Sequence, residues 1–254
     1  MTMRNSEARA LFSLTVPEGK RLIGKAVAEL PIVQSAHSQG KLIIANGITN
    51  AYVLEELLGN SVEKLRYTAG LITQGHYAVT PNETRIPPVC FENGQQSDRP
   101  WLDILADFTN NDVFIKGANA IDPSGMAGVL VGAPNGGTCG LALGTLYARG
   151  SHLVVPVSRE KLIPSVEAAI HHLGIHTLDD SLGMRCGMVP MVGATIITEV
   201  EALSTLFGVK ALQVSAGGVG GSEGSVGVQI CGSREDVATA MAYIKSIKGE
   251  PPIR

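Results

Sequence analysis

The chain has 254 residues with a formal net charge of −3, of which 44% are hydrophobic, 17% charged and 4% aromatic. That balance supports a full apolar core and excludes a disordered chain, while the lack of a basic stripe or stacking platform excludes a nucleic-acid surface. No apolar run approaches the roughly 20 residues that span a bilayer and no charged start leads into an apolar leader, so the expected setting is cytoplasmic, without a membrane partner. Cys90, Cys139, Cys186 and Cys231 are widely separated and form no C-x-x-C pair, so neither a metal site nor a disulfide framework is expected, and no cofactor.

Residues 1–14 have no strong period and suit a flexible arm or an edge strand. Beyond Pro17, the apolar positions Leu22, Ile23, Ala26, Val27 and Leu30 mark one face of a helix that Pro31 stops. Lys41, Leu42, Ile43, Ile44 and Ala45 form a compact β run. Asn46, Gly47, Ile48, Thr49 and Asn50 then turn the chain into a helical pattern over residues 51–58, closed by Gly59. Thr49 and Asn50 stand where a side chain caps a helix or, with free N–H groups, holds a phosphate or carboxylate. Residues 67–75 suggest a short strand and 80–88 an exposed loop, with His76 a reserve catalytic candidate between them. Leu102, Leu105 and Phe108 sit at helical spacing within residues 101–108.

Residues 112–144 carry most of the functional signal. Val113, Phe114 and Ile115 have the character of a strand buried on both faces. It breaks at once into Lys116, Gly117, Ala118 and Asn119, and then into the turn chemistry of Asp122, Pro123, Ser124 and Gly125. Polar groups therefore collect at a strand's carboxyl end, the edge at which open parallel sheets bind ligands. After the apolar run 127–131, a second loop through Asn135, Gly136, Gly137 and Thr138 leads into a small-residue helix near Gly140. Its glycines either serve tight turns or turn main-chain N–H groups, with the helix dipole, toward an anion.

Residues 151–157 read as another buried strand and 161–173 as another helix, giving strands alternating with helices around a parallel α/β sheet. Past the polar connector 179–191 the pattern shortens. Strands at 194–198, 209–215 and 225–231 and helices at 199–207 and 234–247 follow the β-α-β-β-α order of a ferredoxin-like unit. The predicted fold is thus a Rossmann-like parallel sheet with flanking helices over residues 1–178, followed by a small α+β ferredoxin-like domain over 190–254. The glycine run 217–224 does not open a helix and reads as a mobile hairpin. His171, His172 and His176 read as solvated residues near a helix end, and Glu199 and Glu201 as acids that favour a helix dipole.

The two segments from Ile43 through Ala51 and from Asp112 through Asp122 resemble the ligand loops of the ribose-phosphate isomerase, glucosamine-phosphate isomerase and CoA transferase-like superfamily. The sugar-phosphate-sensing members of that group are the most similar, and the resemblance spans about residues 17–170. It implies phosphate-side roles for Asn46, Gly47, Thr49 and Asn50, and places Lys116, Asn119 and Asp122 toward the sugar or acyl part. The departures are specific. Isomerases of the group carry an acidic pair where this chain has Lys116, Gly117, Ala118, Asn119 and Ala120, which leaves Asp122 as the remaining carboxylate for enolisation. A transferase would need a glutamate nucleophile in a glycine-rich turn, and Glu55 and Glu56 lie inside a predicted helix. The sensors join their domain to a DNA-reading segment, and no basic segment precedes this one.

Three functions stand open on the sequence. One is binding of a small anionic metabolite such as a sugar phosphate, nucleotide or acyl-CoA compound, through Asn46, Gly47, Thr49, Asn50, Asn119, Ser124, Asn135, Gly136, Gly137 and Thr138. The second is an isomerase or transferase with Asp122 as general base and Lys116 as oxyanion stabiliser. The third is a structural assembly protein. A homo-oligomer is expected in each case, because the C-terminal unit is small and its strands carry few guarding charges.

Overall fold

Alternation along three short strands organises the molecule. In a computed structural model that describes residues 7–253, the chain forms a mixed α/β structure with eight α-helices around a six-stranded mixed sheet. It begins with β1 (Ala8–Leu14), α1 (Val16–Ala28), α2 (Pro31–Gln39), β2 (Lys41–Ile44) and α3 (Ile48–Leu58). Two hairpins follow, β3 (Gly70–Thr73) with β4 (His76–Val79) and β5 (Val89–Glu92) with β6 (Gln95–Ser97), and then α4 (Trp101–Ala106). The middle of the chain gives β7 (Val113–Ile115), β8 (Ala120–Ile121), β9 (Ala127–Val131), α5 (Gly137–Arg149), β10 (His152–Pro156) and α6 (Val166–His172). It ends with β11 (Gly187–Pro190), β12 (Thr195–Ile197), α7 (Glu199–Phe207), β13 (Lys210–Ala216), β14 (Val226–Gly232) and α8 (Arg234–Ser246).

The central order is β12-β10-β7-β2-β5-β6. Leu42 and Ile44, Val113 and Ile115, and Val154 face one apolar layer, which contains residues of α1, α3, α7 and α8. Ile43, Phe114, Leu153 and Val155 face the other, with residues of α4 and α5. Successive side chains of a strand point to opposite faces, so a strand covered on both must be apolar throughout, as the fully buried Val113, Phe114 and Ile115 are. On the first layer α1 approaches α3 closely because Gly24 lacks a side chain: a Cβ there would lie 2.7 Å from Cβ of Tyr52.

Several expectations are corrected. The sheet is not all parallel: β2, β7, β10 and β12 run parallel, while β5 returns antiparallel to β2 and carries β6 with it. Asn93 and Gly94, both at positive φ, make the tight β5–β6 turn. The ferredoxin-like unit does not close on itself. β12 joins the edge of the central sheet beside β10, and its place beside β14 is taken by β1, giving a small antiparallel sheet β1-β14-β13. The physical reason is burial: β14 carries Val226, Val228 and Ile230 at 2%, 0% and 0% exposure and needs a strand on both sides. Its residues share one core with Leu22 and Ile44, so the division between 1–178 and 190–254 is crossed in both directions. Pro31 ends no helix but opens α2, where its fixed φ and missing N–H suit the first turn. Residues 159–161 form a 3-10 turn, and α6 begins five residues later than expected, at Val166. β9 pairs with β8 and β11 in a separate three-stranded antiparallel sheet. Among the described residues no helix is long and apolar enough to cross a membrane.

Candidate functional site

The carboxyl ends of β2, β7 and β10 open on one cavity of about 1090 Å³. From β2 the chain passes through Asn46, whose buried amide donates to Ile86 O (2.7 Å), and Gly47, whose N–H donates to Tyr67 O (2.8 Å). α3 starts at Ile48 with no capping side chain, and Gly47, Ile48 and Thr49 line the cavity. From β7 come Lys116, Gly117, Ala118 and Asn119. From β10 come Glu160 and Lys161, and Lys20 enters from α1. Opposite these, α5 begins behind Gly136 and Gly137, both at positive φ, so that Gly136, Gly137, Thr138 and Cys139 complete the wall. The N-cap of α5, Gly136, likewise supplies no side chain. Two helix N-termini therefore meet one cavity, each with first-turn N–H groups and a positive dipole end. The β3–β4 hairpin, Asn82, Arg85 and Met184 also line the cavity.

Charge is concentrated here. Among the described residues the lining holds four cations, Lys20, Arg85, Lys116 and Lys161, against a single carboxylate, Glu160, in a chain whose net charge is −3. Glu160 is already bridged to Lys20 at 2.8 Å. Lys116 Nζ donates to Gly117 O (3.0 Å) and Lys161 Nζ to Ala118 O (2.8 Å), consecutive carbonyls of one loop. Burial pulls Lys161 down to about 8, with Lys20 and Lys116 adding repulsion and Glu160 and Glu199 opposing it. Burial lowers Lys116 as well. The Cys139 thiol is pushed up by burial, against the pull of Lys116, so it is held as a thiol.

The residues singled out from sequence divide into two groups. Asn46, Gly47, Thr49, Lys116, Asn119, Gly136, Gly137 and Thr138 are brought to the cavity. Asp122, Ser124, Asn50 and Asn135 are not among its lining residues, and each has a local structural task. Asp122 Oδ1 accepts from Ser124 N (3.0 Å), Ser124 Oγ (2.6 Å) and Met126 N (3.2 Å), and Oδ2 accepts from Val166 N (2.9 Å) at the start of α6. Burial works to raise this carboxyl, but those donors outweigh it and hold it below the usual range, the opposite of a poised general base. Asn50 is fully buried and its amide ties Ala45 O (2.6 Å) and Ile115 O (3.4 Å), joining the ends of β2 and β7. Asn135 Oδ1 accepts from Gly137 N (3.0 Å), shaping the turn rather than facing a ligand. Asn119 lines the cavity while its Oδ1 accepts from Leu130 N (3.0 Å).

Sequence reading missed Lys20, Glu160 and Lys161. Ser158, Arg159, Glu160 and Lys161 follow a buried strand as Lys116 does, and that polar break is the signal that would have found them; assigning Lys161 to a helix hid it. Glu199 also does different work from that expected of it. It is fully buried under the β10 loop, accepting from Ser158 Oγ (2.5 Å) and Arg159 N (2.9 Å), and burial raises its carboxyl. It positions the turn that carries Lys161. His76 is exposed on β4, and among the described residues no group of acidic, histidine or cysteine side chains is set to hold a metal.

Compared with family models, characterised proteins and solved structures, the chain matches none of them.

Proposed function

We propose that the cavity binds a small anionic metabolite of the sugar-phosphate, nucleotide or acyl-CoA type. The observation that carries the reading is the convergence on one cavity of two helix N-termini whose N-cap residues are glycines and of three lysines, with a single carboxylate among the described lining residues. Main-chain N–H groups and a dipole end suit a phosphate or carboxylate without regard to the rest of the ligand. The apolar share of the wall, including Ile48, Leu71, Val129 and Trp101, suits a larger organic part. The parallel order β12-β10-β7-β2, with the cavity at the strands' carboxyl ends, supports a Rossmann-like reading and accords with the resemblance to the isomerase and CoA transferase-like superfamily. Enolisation by Asp122 gains no support, because both oxygens of that carboxylate are engaged. A thermal-shift panel of inorganic phosphate, ribose 5-phosphate, adenosine monophosphate and coenzyme A tests the reading. Stabilisation by ligand follows RT ln(1 + [L]/Kd), about 2.7 kcal/mol at a hundredfold excess over Kd. A flat response to all four would overturn it.

Self-association is part of the same proposal. Leu11 on β1 and Leu212 on β13 flank Gln229 of β14 in register and are 70% and 61% exposed, on the outer face of a small sheet whose two edges are unpaired among the described residues. Light scattering of the full chain and of Leu212→Lys tests it, with a dimer or larger expected for the first and a shift toward monomer for the second.

A further inference from the structure

Three lysines line the cavity, and they are not equivalent. Lys20 has a carboxylate partner in Glu160 at 2.8 Å. Among the described residues Lys116 and Lys161 have none: each Nζ reaches a main-chain carbonyl of the loop after β7, Gly117 O for one and Ala118 O for the other. Carbonyls on consecutive residues bring the two amines to the same stretch of wall. Two ammonium groups so placed, partly buried and with no carboxylate in salt-bridge reach among the described residues, are a costly way to attract an anion when surface lysines do the same at no cost. Such a pair is, however, the arrangement that keeps one amine neutral, and a neutral lysine is a nucleophile toward carbonyl carbon.

Resting on the anion-binding reading of this cavity, we propose that Lys161 forms an iminium with an anionic carbonyl compound: an aldehyde, ketone or 2-oxo acid bearing phosphate or carboxylate at its far end. Lys161, rather than Lys116, is assigned the bond because Glu160, a carboxylate of the same wall, is its chain neighbour and acts on its charge, whereas the group acting on Lys116 is the Cys139 thiol. The lowered affinity of Lys161 for its proton accords with this role. In the step, the ammonium first gives up one proton, and the amine nitrogen attacks the carbonyl carbon as the C=O π pair moves to oxygen, which takes the proton that the nitrogen then loses. The carbinolamine expels its hydroxyl as water with the proton the ammonium released, as the nitrogen lone pair closes the C=N bond. Taken from the ammonium, the balance is ammonium plus carbonyl giving iminium plus water, with no change of oxidation state. In this assignment Glu160 exchanges its bridge to Lys20 for the departing oxygen and carries protons to and from it, and Lys116 steadies negative charge there. The ligand's anionic end is left to the N-termini of α3 and α5. An iminium draws electrons from the adjacent carbon, so the reaction class served is bond making or breaking beside a carbonyl.

Reductive trapping tests the assignment. The full-length protein is treated with pyridoxal 5′-phosphate, and in parallel with pyridoxal, then with sodium borohydride, and the modified lysines are mapped by peptide mass spectrometry. With the phosphorylated aldehyde, Lys161 should carry the adduct at a level on the order of tenfold or more above any surface lysine, as its larger neutral fraction requires. Inorganic phosphate should suppress it, pyridoxal should give much less, and Lys161→Arg should remove it. An adduct spread evenly over the lysines, or concentrated on Lys116, overturns the assignment, and the wild-type map alone distinguishes these outcomes whether or not the variant folds. If phosphate stabilises the wild-type protein but Lys161 is unlabelled, the iminium falls and the anion site stands. If Lys161 is labelled equally by both aldehydes and phosphate stabilises nothing, the anion reading falls and only the nucleophile survives.

Discussion

Two polar segments follow β7 within nine residues, and they do opposite work. At Asp122 a carboxylate meets donors for both of its oxygens: three from its own turn and one from the start of α6. At Lys116, and at Lys161 on the same stretch of wall, a cation meets a main-chain carbonyl and, among the described residues, no carboxylate. The first is a finished structural joint. The second is an unfinished one, and a cavity stands in front of it. Residue type made Asp122 the natural catalytic candidate; the distribution of hydrogen-bond partners reverses that judgement, because a group whose partners are all supplied by the fold has nothing left to offer a ligand.

The largest effect that would break this contrast concerns Asp122. Asp122→Ala strips the partners from Val166 N and Met126 N and should cost about 2–4 kcal/mol in chemical denaturation, with anion affinity of the folded fraction unchanged. A stable variant with weakened ligand binding would return Asp122 to the site. Next comes Lys116→Ala, which should weaken an anionic ligand by about 1.5–3 kcal/mol in calorimetry while leaving the fold at least as stable. Equal affinity would reassign Lys116 to a structural role.

The reverse sign is expected for stability at the neighbouring cation. Lys161→Met removes a charge that the fold buries without a counter-ion and should raise stability by about 1 kcal/mol at pH 7. Here function and stability would pull against each other, as they would not at Asp122.

Two pH windows give the smallest and most diffuse effects. Lys161 holds its proton more weakly folded than unfolded, so the unfolded chain binds the extra proton between about pH 8 and 10.5, and stability should rise as pH climbs through that window. At the acid end burial opposes ionisation of Glu18, but Lys248 and the N–H groups of Thr15 and Gly249 outweigh it; Glu55 and Asp122 are likewise held low. Their contribution is present above about pH 4.5 and is lost as pH falls through the folded values, whereas Glu199, raised by burial, acts in the opposite sense. Thermal melts across both windows, with Lys161→Met flattening only the alkaline one, check the assignment.

Much of this was legible from sequence, and the failures share a cause. Val113, Phe114 and Ile115 announced a strand covered on both faces, and the α7 and α8 segments were readable because their periods and caps are local. That Gly47, Lys116 and Gly136 line the cavity was readable in so far as a polar break after an apolar run marks a strand's end. What was not legible is non-local. No feature of residues 8–14 announces that they pair with 226–232, and no feature of residues 195–197 announces that they leave the C-terminal unit for the edge beside β10. Pro31 read as a stop because proline both ends and begins helices, and only the chain's path between α1 and α2 distinguishes them. Glu199 looked like a dipole-favouring acid at a helix start; that it lies under Ser158 and Arg159 depends on how α7 docks beneath the β10 loop.

The most direct test of the central claim is calorimetric titration of inorganic phosphate and of ribose 5-phosphate into the wild-type protein and into the double variant Lys116→Ala/Lys161→Met. Saturable binding to the wild type that is abolished in a fully folded double variant is the expected result. Binding of equal strength to both proteins, or to neither, would contradict the assignment of this cavity as an anion site.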